Sequence, residues 1–102
     1  MANMNRIYTV SEIKDRIIPI ARNYGVEKVY LFGSYAQNKA TQNSDVDLRI
    51  DSGKIMTLFA LGGFYADICE ILGKNVDIVT SDAMSGNFRS RIQGEEILIY
   101  ER

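Results

Sequence analysis

The chain has 102 residues, of which 46% are hydrophobic and 25% are charged, and it contains no histidine and one cysteine. Without histidine it cannot build Ser-His-Asp, Cys-His or imidazole–zinc sites, so any catalysis must use carboxylates, other polar groups or an oxygen-bound metal. Its 12 basic residues nearly cancel its 13 acidic ones, which argues against a surface-wide electrostatic footprint for nucleic acid.

Length and cysteine usage also indicate how the chain is organised. The length predicts a single domain over residues 1–102. A lone cysteine cannot form an internal disulfide, which is typical of a reducing cytoplasm. The sequence shows no basic-then-apolar leader and no long apolar run. We therefore expect a cytoplasmic protein without a membrane segment.

A capping box marks the first predicted helix. Thr9 and Glu12 occupy the N-cap and N3 positions, and apolar residues follow at spacings of three and four up to Gly25, a favourable C-terminal cap. Residues 29–32 (VYLF) are apolar throughout and predict a strand buried on both faces. A short helix is expected over residues 35–38.

The rest of the chain alternates between short apolar runs and helical patterns. Residues 45–50 (DVDLRI) alternate polar and apolar, which predicts a half-buried strand. A long helix is predicted over residues 55–72, strands over 75–79 and 96–100, and a short helix within 85–94. This order predicts an α/β (α+β) fold, a mixed sheet of about four strands flanked by helices. The predicted inner stripe of the long helix consists of Ile55, Leu58, Phe59, Tyr65, Ile68, Cys69 and Leu72.

Two aspartates, Asp45 and Asp47, form the most informative motif. On a strand they point to the same face, with Cα atoms about 6.6 Å apart. Like charges at this distance repel unless a cation lies between them, and carboxylate oxygens suit Mg²⁺ or Mn²⁺. Asp77 alternates with apolar neighbours in the third predicted strand. If that strand lies beside the first two aspartates, the three carboxylates suit a two-metal site.

The junction at Gly33 and Ser34 is a candidate phosphate cradle. Glycine lets the backbone approach a ligand closely, and the N-terminus of the following helix and the Ser34 hydroxyl can point towards an anion. Taken alone, this dipeptide is more typical of an ordinary turn, and D-x-D is often only a solvated strand face. Their joint spacing is informative: G-S, ten residues, then D-x-D.

With this spacing, LFGSYA followed by SDVDLRI resembles the minimal nucleotidyltransferases of the DNA polymerase β-like superfamily. The preceding helix, the Asp77 strand and the closing EEILIYER follow the same layout, so the resemblance covers nearly the whole chain. It implies ATP or another nucleoside triphosphate as donor and two Mg²⁺ ions, with Mn²⁺ as an alternative. It also implies that Asp45, Asp47 and Asp77 are catalytic and hold the metals, and that Asp77 helps to deprotonate the acceptor hydroxyl. The implied nucleotide-binding residues are Gly33, Ser34 and Ser44.

The resemblance further implies a reaction and a partner. Stand-alone members are similar to the antitoxins of HEPN/minimal nucleotidyltransferase modules. We therefore expect transfer of AMP from ATP to a tyrosine of an HEPN ribonuclease toxin, in a homo- or hetero-oligomer and without direct nucleic-acid binding. Two alternatives stay open: a partner-binding antitoxin with weak or no transferase activity, and nucleotidyl transfer to a small molecule.

The chain departs from the family pattern at one point. The family commonly has Arg-Gly where this sequence has Gln37 and Asn38, which removes a cation that could contact phosphate. Lys39 or Arg49 could replace that cation. For Arg49, which lies on the same predicted strand face as the aspartates, a structural ion pair is the favoured interpretation.

Overall fold

A computed structural model describes residues 6–53, 57–81, 86 and 94–102. The elements in chain order are α1 (Val10–Tyr24), β1 (Lys28–Phe32), α2 (Gly33–Ala36), β2 (Val46–Asp51), α3 (Leu58–Leu72), β3 (Val76–Thr80) and β4 (Ile97–Glu101). Most of the predicted helix within residues 85–94 lies outside the described residues. Among the described helices, none combines the length and the apolar character needed to cross a bilayer.

The four strands form one mixed sheet, as predicted. Their order is β3-β2-β1-β4, with β1 antiparallel to both β2 and β4, and with β2 parallel to β3. Parallel neighbours need a crossover connection, and α3 provides it between β2 and β3. Helices α1 and α3 pack against each other and against the sheet, so the hydrophobic core lies between these helices and one sheet face.

Helix α1 is defined by its caps, and both predicted caps are confirmed. The Thr9 hydroxyl accepts a hydrogen bond from the Glu12 N–H, and the Glu12 carboxylate accepts one from the Thr9 N–H. Gly25 closes the helix in the left-handed conformation, with φ of 72°. The fully buried side of the helix consists of Ile13, Ile17 and Ala21.

Strand β2 shows the predicted alternation over its whole length. Asp47 and Arg49 lie on one face and are half-buried. The other face is completely buried in the core and consists of Val46, Leu48 and Ile50. Because side chains on a strand alternate strictly between faces, burial of these three residues determines where the polar side chains of β2 point.

Strand β1 agrees with the prediction of burial on both faces except at Tyr30, because Phe32, on the same face as Tyr30, is buried. Val29 and Leu31 are buried, but Tyr30 between them is only half-buried. Tyr30 pairs with Arg49 across the strands, on the polar face of β2. The Arg49 guanidinium lies 3.9 Å from the centre of the Tyr30 ring, so a cation–π contact rather than a helix covers this side of the strand.

The N-terminal half of α3 also departs from the prediction. The helix begins at Leu58, and the predicted start, Ile55, lies outside the described residues. Leu58 and Phe59 are 84% and 94% exposed, and Tyr65 is 45% exposed, so their assignment to the inner stripe was wrong. The sequence of α3 is apolar on several sides, and spacing alone therefore does not single out one face. The buried residues are Phe64, Ile68 and Leu72.

Two consecutive glycines in α3 have different surroundings. A Cβ atom at Gly63 would lie 2.8 Å from the Tyr24 hydroxyl oxygen, and that hydroxyl donates a hydrogen bond of 2.7 Å to Asp67. Gly63 therefore allows the C-terminus of α1 to approach α3 closely. A Cβ atom at Gly62 would meet no described atom within 4 Å beyond its immediate helix backbone. The close helix contact is thus a property of Gly63 alone.

We expect Gly62→Ala to raise the free energy of unfolding by up to about 1 kcal/mol, because alanine favours the helix and restricts the unfolded chain. Gly63→Ala should not show this gain, since its methyl group displaces Tyr24 from Asp67. Urea unfolding of both variants measures the difference. An equal gain at both positions would contradict the contact between Gly63 and Tyr24.

Candidate functional site

The register of β2 and β3 brings the predicted carboxylates together. In this parallel pair, Asp47 lies directly opposite Asp77, and Asp45 directly precedes β2. All three aspartates therefore belong to the N-terminal ends of two adjacent strands. The structure confirms that the Asp77 strand is the neighbour of the D-x-D strand.

Asp47 is the electrostatic centre of this group. It is half-buried, whereas Asp45 and Asp77 are exposed. Burial, the negative charges of Asp77 and Asp45, and a hydrogen bond with Asp77 together raise the pKa of Asp47 to about 6. Asp47 therefore keeps its proton to a higher pH than an isolated aspartate does, because burial and two neighbouring negative charges disfavour its ionised form.

The chemistry of these side chains suits a hard divalent cation. Asp47 and Asp77 lie opposite each other across the β2–β3 pair, and the charge of Asp77 contributes to the raised pKa of Asp47. A cation between the two carboxylates would offset this repulsion. Across the described ranges, however, no three acidic or thiol side chains form a group that could hold a metal ion as they stand. The Asp47–Asp77 pair thus has the chemistry to hold an Mg²⁺ ion. Asp45 lies next to β2, but it does not form a three-carboxylate group with this pair.

Gly33 lies directly against the Asp47 carboxylate. It has a φ of 75°, and a Cβ atom at this position would overlap the Asp47 side chain. Both the positive φ and the lack of space require glycine. Ser34 is the next residue of α2 and is half-buried. The structure therefore places the predicted Gly33–Ser34 junction next to the D-x-D strand.

Ser44, the third predicted nucleotide-binding residue, stabilises a turn. Its hydroxyl accepts a hydrogen bond of 2.8 Å from the Thr41 N–H, and its own N–H donates to the Thr41 carbonyl at 3.1 Å. This turn ends immediately before Asp45. In the structure, the contacts of Ser44 hold the loop that presents Asp45.

Lys74 holds the same turn, although nothing in the sequence marks it as a residue of the site. It is only 4% exposed, and its Nζ donates a hydrogen bond of 3.0 Å to the Gln42 carbonyl. The neighbouring Asn75 carbonyl accepts a hydrogen bond from the Val46 N–H. The α3–β3 connection therefore supports the loop before β2. No local pattern distinguishes Lys74 from a surface lysine, because its partner is distant in sequence.

The Arg49 guanidinium forms ion pairs and hydrogen bonds with side chains of neighbouring elements. Its guanidinium donates two hydrogen bonds to the Glu96 carboxylate, at 2.9 and 2.5 Å. It also donates to Ser81 at 2.7 Å and to Asp51 at 3.3 Å. Pairing with Glu96 raises the pKa of Arg49. The favoured interpretation of Arg49 as an ion-pair residue is confirmed, and in this structure the network ties β2 to the segment before β4.

Gln37 and Asn38 are the two residues at which the chain departs from the family pattern. Asn38 has a φ of 59°, the left-handed conformation that glycine adopts most readily and that asparagine tolerates better than most residues. The Gln37 side-chain amide donates a hydrogen bond of 3.0 Å to Glu95. Asn38 thus adopts a conformation that glycine would also adopt readily, whereas Gln37 carries no positive charge.

Tyr65 borders the site from α3, although the sequence pattern assigned it to the core. A hydrogen bond with Cys69 raises the pKa of the Tyr65 hydroxyl, and the charges of Asp77 and Asp45 raise it further. The hydroxyl therefore lies near enough to the carboxylates to experience their field. Only the position of β3 next to α3 shows this, because Tyr65 and Asp45 are far apart in sequence.

Known proteins match both the sequence and the fold. The family described as Polymerase beta, Nucleotidyltransferase matches residues 15–102. A protein of Methanocaldococcus jannaschii, provisionally named a protein adenylyltransferase, is 35% identical over 88 residues, which cover 86% of this chain and 95% of the relative.

Two solved structures show the same fold at low sequence identity. A crystal structure of a toxin–antitoxin pair with AMP-PNP has a TM-score of 0.75 and 22% identity, covering 87% of this chain and 73% of the other. A Shewanella oneidensis complex of a tri-AMPylated HEPN toxin with an MNT antitoxin has a TM-score of 0.69 and 18% identity, covering 90% of this chain and 72% of the other.

The raised pKa of Asp47 makes stability depend on pH. The group shifts from 3.8 to about 6 on folding, so the folded state binds more protons between these values and stability falls as pH rises through this range. Without divalent cations, we expect a loss of about 1–2 kcal/mol between pH 4 and 7 from this half-buried group, whose charge is partly screened by solvent. Asp47→Asn should remove the loss and be the more stable protein at neutral pH.

Urea unfolding in EDTA across this pH range measures the effect. Asp15→Asn, a substitution of an exposed aspartate on α1, is the matched control and should reproduce the wild-type pH profile. If the stability of Asp47→Asn depends on pH in the same way as that of the wild-type protein, the pH dependence does not come from ionisation of Asp47.

Proposed function

The chain belongs to the polymerase β nucleotidyltransferase family, and we propose that it is an Mg²⁺-dependent protein adenylyltransferase that acts as an antitoxin. In this proposal it transfers AMP from ATP to a tyrosine hydroxyl of an HEPN ribonuclease toxin. The observation that carries the proposal is the placement of Asp47 opposite Asp77 and against Gly33. Nucleotidyl transfer needs carboxylates for a cation beside a backbone that phosphate can approach.

The proposed reaction forms a bond between the tyrosine oxygen and the α-phosphorus of ATP, and breaks the bond from that phosphorus to the leaving pyrophosphate. Asp47 and Asp77 would hold Mg²⁺, with Asp45 as a further ligand. When bound, the ion neutralises phosphate charge and polarises the phosphoryl oxygens. Asp77, the exposed member of the pair, would accept the proton of the attacking hydroxyl. Gly33 and Ser34 would position the phosphates.

Several findings support the identity of donor and acceptor. The M. jannaschii relative carries the name of a protein adenylyltransferase, which supports a protein as the acceptor. The toxin–antitoxin structure with AMP-PNP supports ATP as the donor. The AMPylated HEPN toxin in complex with its MNT antitoxin supports an HEPN protein as the partner of this chain, in a hetero-oligomer. We further propose that residues 1–102 act as one cytoplasmic domain.

A second function, neutralisation by binding alone, is favoured by one specific observation. At Gln37 the family's arginine is replaced by a neutral side chain whose amide contacts Glu95. The positive charge that the family commonly has at this position is thus absent from Gln37 itself, and Lys39 is the exposed cation next along the chain. In this alternative the chain still binds the toxin, but transfer of AMP is weak or lost.

Incubation of the chain with its HEPN partner, ATP and Mg²⁺ tests the first function. We expect intact-mass spectrometry to show an added AMP moiety on the partner, and EDTA to prevent it. Asp47→Asn and Asp77→Asn should each lower the initial rate by about 10²-fold or more, because each removes a metal ligand or the proton acceptor. Asp15→Asn should retain the wild-type rate.

The same variants separate the two functions in cells that express the toxin. Loss of protection by Asp47→Asn, with toxin binding intact, is the outcome expected for an adenylyltransferase. Full protection by a variant with both Asp47→Asn and Asp77→Asn would assign neutralisation to binding. Absence of any adduct on a toxin known to be active would contradict the transferase proposal.

A further inference from the structure

Helix α1 and strand β4 enclose a groove that the proposed reaction does not use. Its volume is about 310 Å³, and it is lined by Lys14, Ile18 and Arg22 of α1 and by residues 98–101 of β4. In the strand order β3-β2-β1-β4, β4 lies at the opposite edge of the sheet from the Asp77 strand. The groove is therefore separate from the carboxylate site.

The helix side of the groove presents two cations with an apolar residue between them. Lys14, Ile18 and Arg22 are spaced by four, so they form one ridge along α1. The ridge spans about 12 Å over its eight-residue length. Lys14 and Arg22 are exposed, and within the described part of the chain neither has an ion-pair partner. The ridge is thus suited to a ligand with two separated negative charges.

The strand side of the groove is a sheet edge. Among the described strands, β4 pairs only with β1, so no described strand occupies its outer edge. The pairing shifts register at a bulge that buries Ile99. A bulge interrupts regular pairing along an edge, so β4 can receive a short extended segment but not the edge of a whole sheet. Glu101, the acidic residue at this edge, pairs with Lys28 at 3.6 Å, which offsets its charge.

We infer that this groove binds an extended acidic segment of another protein, with acidic residues at positions i and i+4 and an apolar residue at i+2. In an extended chain these three side chains point to the same side, and the outer two lie about 13 Å apart. This distance matches the separation of Lys14 and Arg22, and the central residue meets Ile18. Hydrogen bonds to β4 would hold the backbone of the segment.

A second copy of this chain cannot supply the segment. Only one pair of its acidic residues is spaced by four, Asp47 and Asp51, and the residue midway between them is Arg49. Both aspartates lie in β2, which is paired on both sides within the sheet. The occupant is therefore a different protein, recognised by its alternating acidic–apolar–acidic pattern.

Two synthetic peptides of identical composition test the inference, both acetylated and amidated: TETITET, with acidic residues at i and i+4, and TTETIET, with acidic residues at i and i+3. Titration into ¹⁵N-labelled protein, followed by NMR, gives both the affinity and the location of binding. We expect TETITET to bind with amide shifts confined to α1 and β4. TTETIET should bind several-fold more weakly, because its acidic side chains point to opposite sides.

Substitutions of the two groove cations test whether they bind the acidic residues of the peptide. Lys14→Gln and Arg22→Gln should each weaken TETITET binding by up to about fivefold, the range of an exposed ion pair, and the double variant by more. Lys39→Gln, at an exposed lysine outside the groove, is the control and should not change the affinity. Unchanged melting temperatures show that the variants are folded.

Three results would overturn the inference. These are equal affinity for both peptides, shifts that map outside α1 and β4, and full affinity in the double variant. Displacement of TETITET by a short single-stranded oligonucleotide at lower concentration than by unlabelled peptide would assign the groove to nucleic acid instead. The titration contains no nucleotide triphosphate, so its outcome is independent of transferase activity.

Discussion

The parallel pairing of β2 with β3 is the constraint on which the candidate site depends. It places Asp47 opposite Asp77, whereas a slip by one residue would place Asp47 beside Val76 or Ile78. The buried face of β2 prevents this slip, because turning its apolar side chains outward would expose the core. Core packing on one side of the sheet therefore determines the electrostatics on the other.

The concentration of negative charge at the site lowers the free energy of unfolding at neutral pH. Burial and two neighbouring aspartates raise the pKa of Asp47, and Gly33 permits the close approach of the backbone to its carboxylate. The supporting contacts lie outside the carboxylates: Lys74 holds the loop before Asp45, and Arg49 is held by Glu96 rather than by Asp47. Neither Lys74 nor Arg49 offsets the repulsion between Asp47 and Asp77, which a bound cation would relieve.

Local rules account for what the sequence predicted correctly. The capping box at Thr9 and the alternation along β2 depend on neighbours close in sequence, and the D-x-D spacing placed Asp45 and Asp47 on one edge. The face of α3 could not be predicted, because its apolar residues surround the helix and only packing selects Phe64 over Phe59. Lys74 and Tyr65 were missed at the site for a related reason, since their contacts exist only after β3 has paired with β2. Strand order is a tertiary property that one sequence leaves open.

Measurement of the Asp47 carboxyl pKa by ¹³C NMR in EDTA decides whether Asp47 and Asp77 form a shared cation site. For a shared site we expect a pKa of about 6, a lower pKa in the Asp77→Asn variant, and also a lower pKa when Mg²⁺ is added to the wild-type protein. A value near the ordinary 3.8 that responds neither to Asp77→Asn nor to Mg²⁺ would contradict it. In that case the paired aspartates would not form a shared cation site.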